Sequence, residues 1–144
     1  MGINSTRGFH REIPIDLMKE LTICETLASP SSPHARALGF HQGYGAMLGG
    51  FLAEKGLLKP RSRILEVGGG YGTLMEGLLA SYGHLIRRAV MVDLSPMLLR
   101  KQRERLKGYP EKVCLVQSDI PDSRRSVNGP DLIIVNEVLG DLDV

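Results

Sequence analysis

The strongest constraint on the fold lies in residues 63–79, where a run of strand-forming residues meets a helical pattern across a turn almost without side chains. Ile64, Leu65 and Val67 read as a short buried strand, and Leu74, Met75, Leu78 and Leu79 recur at helical spacing. Between them stand Gly68, Gly69, Gly70 and Gly72, with Tyr71 the one side chain in their midst. Glycine reaches backbone angles closed to other residues and lets a ligand come into contact with the main chain. A strand that ends in this way and feeds a helix N-terminus suits a nucleotide-like ligand.

Spacing narrows the ligand. A dinucleotide-binding turn needs Gly-x-Gly-x-x-Gly, but counting from Gly68 puts Thr73 at the third glycine place and counting from Gly70 puts Met75 there. A P-loop is excluded because no Gly-Lys-Ser/Thr follows. What stands instead is Glu-x-Gly-x-Gly-x-Gly, with Glu66 on the strand two residues before Gly68.

This pattern resembles motif I of the class I S-adenosylmethionine-dependent methyltransferases. The resemblance implies an α/β fold with a Rossmann-like, mostly parallel sheet and S-adenosyl-L-methionine as cofactor. It also implies a glycine turn (Gly68, Gly69, Gly70, Tyr71, Gly72) passing the methionine and ribose portions, with Glu66 near the ammonium group.

Three later positions extend the resemblance. Ala89 to Val92 read as a second strand ending at Asp93, 21 residues beyond Gly72, about where an acid would receive the two ribose hydroxyls. The competing role of Asp93 is a helix cap, but Ser95 and Pro96 already supply the cap and first turn of the next helix, so the ribose role, with Leu94 beside it, is favoured. Val113 to Val116 form a third strand pattern. By resemblance, Asp119 after it receives the adenine amino group and Ile120 packs on the ring. A continuous apolar run at 131–135 reads as a strand buried on both faces and leads into Asn136 and Glu137.

That last turn is where the family places the methyl acceptor beside the sulfonium. Nucleic-acid amino methylases carry an Asp/Asn-Pro-Pro-aromatic turn there, and this chain has Asn-Glu-Val-Leu, which disfavours a base as acceptor. It looks more like the corresponding turn of protein-arginine methyltransferase relatives, including the mitochondrial complex I assembly group. Glu137 is then the candidate catalytic residue, holding a cationic acceptor, with capping of the next helix as the competing role. Asn136 joins the cofactor-binding set.

The first two fifths of the chain (1–58) are expected to be a helical segment or cover ahead of the cofactor domain (59–144). Leu17, Leu21, Cys24 and Leu27 form a helical stripe, and Ser32 and Pro33 start a second helix expected over 33–55 and stopped by Gly56. Gly39, Gly43, Gly45, Gly49 and Gly50 each cost a helix interior about 1 kcal/mol relative to alanine. They point either to close packing against a neighbouring backbone or a second subunit, or to a cover that turns His41, Gln42 and Tyr44 toward a substrate.

The totals exclude several classes. With 18 Lys and Arg against 16 Asp and Glu, the net charge of +2 gives no broad nucleic-acid footprint. The basic helix with Arg100, Lys101, Arg103, Arg105 and Lys107 reads first as solvated surface. Cys24 and Cys114 lack metal-type neighbours, so no metal site is expected, and a reduced cytoplasm is the simpler home. Five glycines with His41 and Gln42 make the uncharged run 37–53 a poor membrane span. By resemblance the family fold closes with three further strands after the fourth, and the sequence given ends at Val144; the expectation is either a fragment of a longer protein or a partner that supplies the cover, with the cofactor half-site present and catalysis by this chain alone in doubt. An exposed sheet edge, or the glycine-rich helix, is therefore the expected route to a homo-oligomer. The alternatives carried forward are a non-catalytic binding or assembly module and, less favoured, a nicotinamide dehydrogenase.

Overall fold

A computed structural model describes residues 8, 11, 23–119 and 129–136. Among these, three helices precede the sheet: α1 (Ile23–Thr26), α2 (Pro33–Ala37) and α3 (Tyr44–Glu54). Then follow β1 (Ser62–Val67), α4 (Thr73–Tyr82), β2 (Ile86–Asp93), α5 (Pro96–Arg105), β3 (Val113–Gln117) and β4 (Leu132–Val135). The strands form one parallel sheet in the order β3-β2-β1-β4. Reversal of the strand order beside β1 creates a crevice at the carboxyl ends of the strands, the place where open α/β sheets bind ligands.

The main core lies on one side of the sheet. Ile64, Ala89, Met91 and Ile134 pack there with Leu74, Met75, Leu78 and Leu79 of α4, and Leu52 and Leu58 join the same cluster. On the other face Leu65 and Val67 lie beside Val90 and Val92. The register pairs Leu65 with Ile133 and Val67 with Val135, so β4 continues this apolar face. Ile133 is nonetheless 59% and Val135 39% exposed, so among the described residues β4 is covered on one face only, not on both as its continuous apolar run predicts. At its start β4 is aligned on β1 by Arg63 N–H donating to Asp131 (2.8 Å) and Asp131 N–H donating to the Arg63 carbonyl (2.8 Å).

The single helix expected over 33–55 is two helices. After α2, Gly39 takes φ 69°; its N–H donates to the Arg36 carbonyl and the N–H of Phe40 to the Ala35 carbonyl. This left-handed closure satisfies the last carbonyls of α2 and turns the chain away. Gly43 then acts as N-cap of α3. Helix α3 ends as expected, with Gly56 at φ 67° and Leu57 N–H donating back to Leu52. The Ser32 and Ser95 caps also form, each hydroxyl accepting the N–H three residues on, with proline next in sequence.

The glycines of α3 are explained by close packing inside the chain. A Cβ on Gly45 would lie 2.3 Å from the Leu74 carbonyl oxygen and 3.0 Å from Gly77 Cα, and one on Gly49 would meet the Tyr82 ring at 2.4 Å. The neighbouring backbone is thus α4. His41 and Gln42 fall in the connection between α2 and α3 and are exposed, away from the helix interior where the sequence pattern put them.

Candidate functional site

The turn after β1 is built by three backbone conformations that side chains resist. Gly68, Gly70 and Gly72 have φ 64°, 52° and 81°. Gly68 N–H donates to the Val92 carbonyl (2.8 Å), continuing the sheet, and Gly72 is the left-handed N-cap of α4. At Gly69 a Cβ would stand 2.5 Å from Met91 Cε and 3.1 Å from Glu66 Cδ, so the main chain lies directly on those two side chains.

Glu66 is the electrostatic oddity of the molecule. It is 2% exposed, at the end of β1, and its Oε2 finds no donor among the described residues. Desolvation, helped by the nearby charge of Asp93, pushes its carboxyl up to about 8. A buried carboxylate without a donor or cation is costly, which is why the proton is retained.

Asp93 is the last residue of β2 and is also buried. Oδ1 accepts from Ser95 N–H (2.9 Å) and Oδ2 from Gln102 Nε2 (3.1 Å). The N-cap of α5 is Ser95, as its Ser-Pro pair predicts, and not Asp93, which instead accepts the backbone N–H of Ser95.

Gln102 was not among the residues singled out from the sequence. Fully buried on α5, it donates through Nε2 to the Gly70 carbonyl (2.9 Å) as well as to Asp93, joining the glycine turn to the acid of β2. Its signal is an amide standing in the apolar stripe of Leu98, Leu99 and Leu106.

The remaining predicted positions fall along the same ends of the strands. Asp119 is buried two residues beyond β3, and Ser118 before it donates its N–H to the Asp93 carbonyl (3.2 Å). The Leu94 carbonyl accepts from Gln117 Nε2 (3.2 Å). Tyr71 is buried, with Lys101 Nζ 6.0 Å from its ring centre. Asn136 follows β4 directly, and its amide meets Tyr44 and Cys24. Ile120 and Glu137 lie outside the described residues.

The crevice therefore runs from Asp119 over β3, through Asp93 over β2 and the bare turn with Glu66 over β1, to Asn136 over β4. Residues 48–144 match the family described as "Putative S-adenosyl-L-methionine-dependent methyltransferase". The chain belongs to that methyltransferase family. Its fold is that of solved methyltransferases. A "putative sarcosine dimethylglycine methyltransferase" from Galdieria sulphuraria aligns with TM-score 0.55 and 19% identity over 63% of this chain. TrmN from Thermus thermophilus gives 0.51 and 20% over 62%, and the precorrin-6y C5,15-methyltransferase from Geobacter metallireducens 0.50 and 17% over 73%. The methyltransferase chain spans 34%, 27% and 48% of the lengths of these three. A comparison with curated proteins gave no match.

The family's cofactor is S-adenosyl-L-methionine, and the residues present fit it. An orphaned buried carboxyl beside bare main chain lacks a cation, which the amino-acid end of that cofactor carries. Buried acids at the next two strand ends suit hydroxyls and an amine. Among the described residues there is no cluster of His, Cys, Asp and Glu able to hold a metal ion, and no helix long and apolar enough to cross a membrane.

Proposed function

We propose that the crevice at the carboxyl ends of the strands binds S-adenosyl-L-methionine and that the protein transfers its methyl group to a protein side chain or small molecule. The observation that carries this reading is Glu66: a buried carboxyl with an unmet Oε2, set under a turn whose left-handed conformations at Gly68, Gly70 and Gly72 favour glycine. In this reading Asp119 receives the adenine amino group, Asp93 the ribose hydroxyls, and Glu66 and the Gly68, Gly69, Gly70 and Gly72 backbone the methionine end.

The bound cofactor supplies an already activated methyl group on a sulfonium. The chain's own work is then placement and exclusion of water, which requires no nucleophile or metal of its own. Glu137, next to Asn136 at the strand-four turn, is proposed to hold a cationic acceptor. Cys24 and Cys114 are thiols rather than a disulfide pair, which suits a reduced cytoplasm.

A second reading, a non-catalytic binding module on the same fold, is favoured by the exposed Ile133 and Val135 on β4. Calorimetric titration with S-adenosylmethionine, S-adenosylhomocysteine and NAD tests the cofactor. Heat with the first two and none with NAD is expected; heat with NAD alone defeats the proposal. Methyl transfer from labelled cofactor into a cell extract separates the enzyme from the module.

A further inference from the structure

A tyrosine from the N-terminal segment reaches the strand tip next to the glycine turn. Tyr44 is the first residue of α3, and its hydroxyl donates to Asn136 Oδ1 at 3.4 Å across 92 residues of sequence. Asn136 Nδ2 in turn lies 3.4 Å from Cys24 Sγ of α1. Three segments thus converge on one carboxamide at the carboxyl end of β4, the strand beside β1.

The placement of Tyr44 is unusually restricted. A Cβ on Gly43 would stand 2.2 Å from the Ala28 carbonyl oxygen, and one on Gly45 2.3 Å from that of Leu74. Tyr44 N–H also donates to the Leu27 carbonyl (2.9 Å). The glycines on either side therefore let the backbone touch the segment after α1 on one hand and α4 on the other. Tyr44, between them, is the side chain delivered to Asn136. Its ring packs on the main core, so the hydroxyl is held from below as well.

The α1 segment is fixed over the same end of the sheet by a second contact. Thr73, the first residue of α4 after the glycine turn, donates its hydroxyl to Glu25, and Glu25 also faces Arg105 at 3.7 Å. The N-terminal helices are thus tied to both sides of the turn, at Thr73 and at Asn136.

The geometry points to Tyr44 as a positioning residue for the cofactor: through the Asn136 carboxamide it fixes the wall of the crevice over β1 and β4, where the amino-acid end of S-adenosylmethionine lies. This rests on the proposed cofactor reading. With adenine at Asp119 over β3 and ribose at Asp93 over β2, the strand order leaves the methionine portion for the Glu66 turn and Asn136. An oriented amide costs no rearrangement when a polar ligand arrives, so its loss is felt in affinity.

The test is Tyr44→Phe, which keeps the ring and removes the hydroxyl, with Phe51→Ala on the exposed part of α3 as control. Titration with S-adenosylhomocysteine should show binding weakened about 5- to 20-fold in Tyr44→Phe, the equivalent of about 1–2 kcal/mol. Phe51→Ala should match the wild type. Methylthioadenosine, which keeps the nucleoside and lacks the amino-acid end, should bind Tyr44→Phe and wild type alike. The Asn136 side-chain amide, assigned through Asn136→Asp, should shift in the nitrogen-15 spectrum of Tyr44→Phe. Wild-type binding of S-adenosylhomocysteine with no loss in Tyr44→Phe, or equal loss for both ligands, overturns the positioning role alone. Absence of wild-type binding overturns the cofactor reading beneath it.

Discussion

Replacing Glu66 by Gln should abolish a pH dependence of stability that runs opposite to that of an ordinary ion-paired carboxylate. In the folded protein the Glu66 carboxyl titrates at about 8, against 4.5 for the ordinary group. The folded state therefore binds a proton that the unfolded chain releases. A group raised in the folded state contributes stability fully present below the unfolded value and lost as pH rises through the folded one. Here the window runs from about 4.5 to about 8. A difference of about 3.5 in pKa corresponds to about 5 kcal/mol across that window. Glu66→Gln keeps the shape and removes the titration, so urea unfolding of both proteins at intervals from pH 4.5 to 9 isolates the effect. The variant should gain on the wild type by several kcal/mol between pH 5 and 8 and level off above. A stability difference constant within about 0.5 kcal/mol over that range would refute the buried-carboxyl argument. Saturating S-adenosylhomocysteine should flatten the wild-type curve, because an ammonium beside Glu66 favours its ionised form.

Other outcomes follow from the same geometry. Gly45→Ala drives a methyl group into the Leu74 carbonyl and should destabilise by about 1–3 kcal/mol in denaturant unfolding. Gly69→Ala meets Met91 and Glu66 and should weaken S-adenosylhomocysteine binding at least tenfold by calorimetry. Gln102→Leu removes the donor shared by Gly70 and Asp93; stability should fall by about 1–3 kcal/mol and cofactor affinity should fall with it.

Much of the fold was readable because the relevant residues report local physics. The apolar run before Gly68, the Ser95-Pro96 start of α5 and Gly56 after α3 each act within a few residues, and the structure places them as expected. The break within 33–55 was also written locally, as Gly39 followed by an apolar Phe40. It was obscured because the other glycines of the region serve distant packing, Gly43 on Ala28 and Gly45, Gly49 and Gly50 on α4. At Asp93 the sequence set a ribose ligand against a helix cap; Ser95 is the cap, as its Ser-Pro pair signals, and Asp93 accepts the Ser95 N–H, a bond the sequence pattern does not announce. Gln102, Cys24 and the bond from Tyr44 to Asn136 depend on which segments meet across the strand tips. No periodicity in one segment can announce a partner 92 positions away.

The central claim is that one ligand spans the carboxyl ends of the strands. Nitrogen-15 chemical-shift mapping on adding S-adenosylhomocysteine tests it most directly. The amides of Gly68 to Gly72, Asp93 and Asp119 should move together with one dissociation constant, while Ser62, Arg88 and Val113 at the opposite ends of the strands stay still. Movement confined to the opposite ends, or none at saturating ligand, would contradict the account.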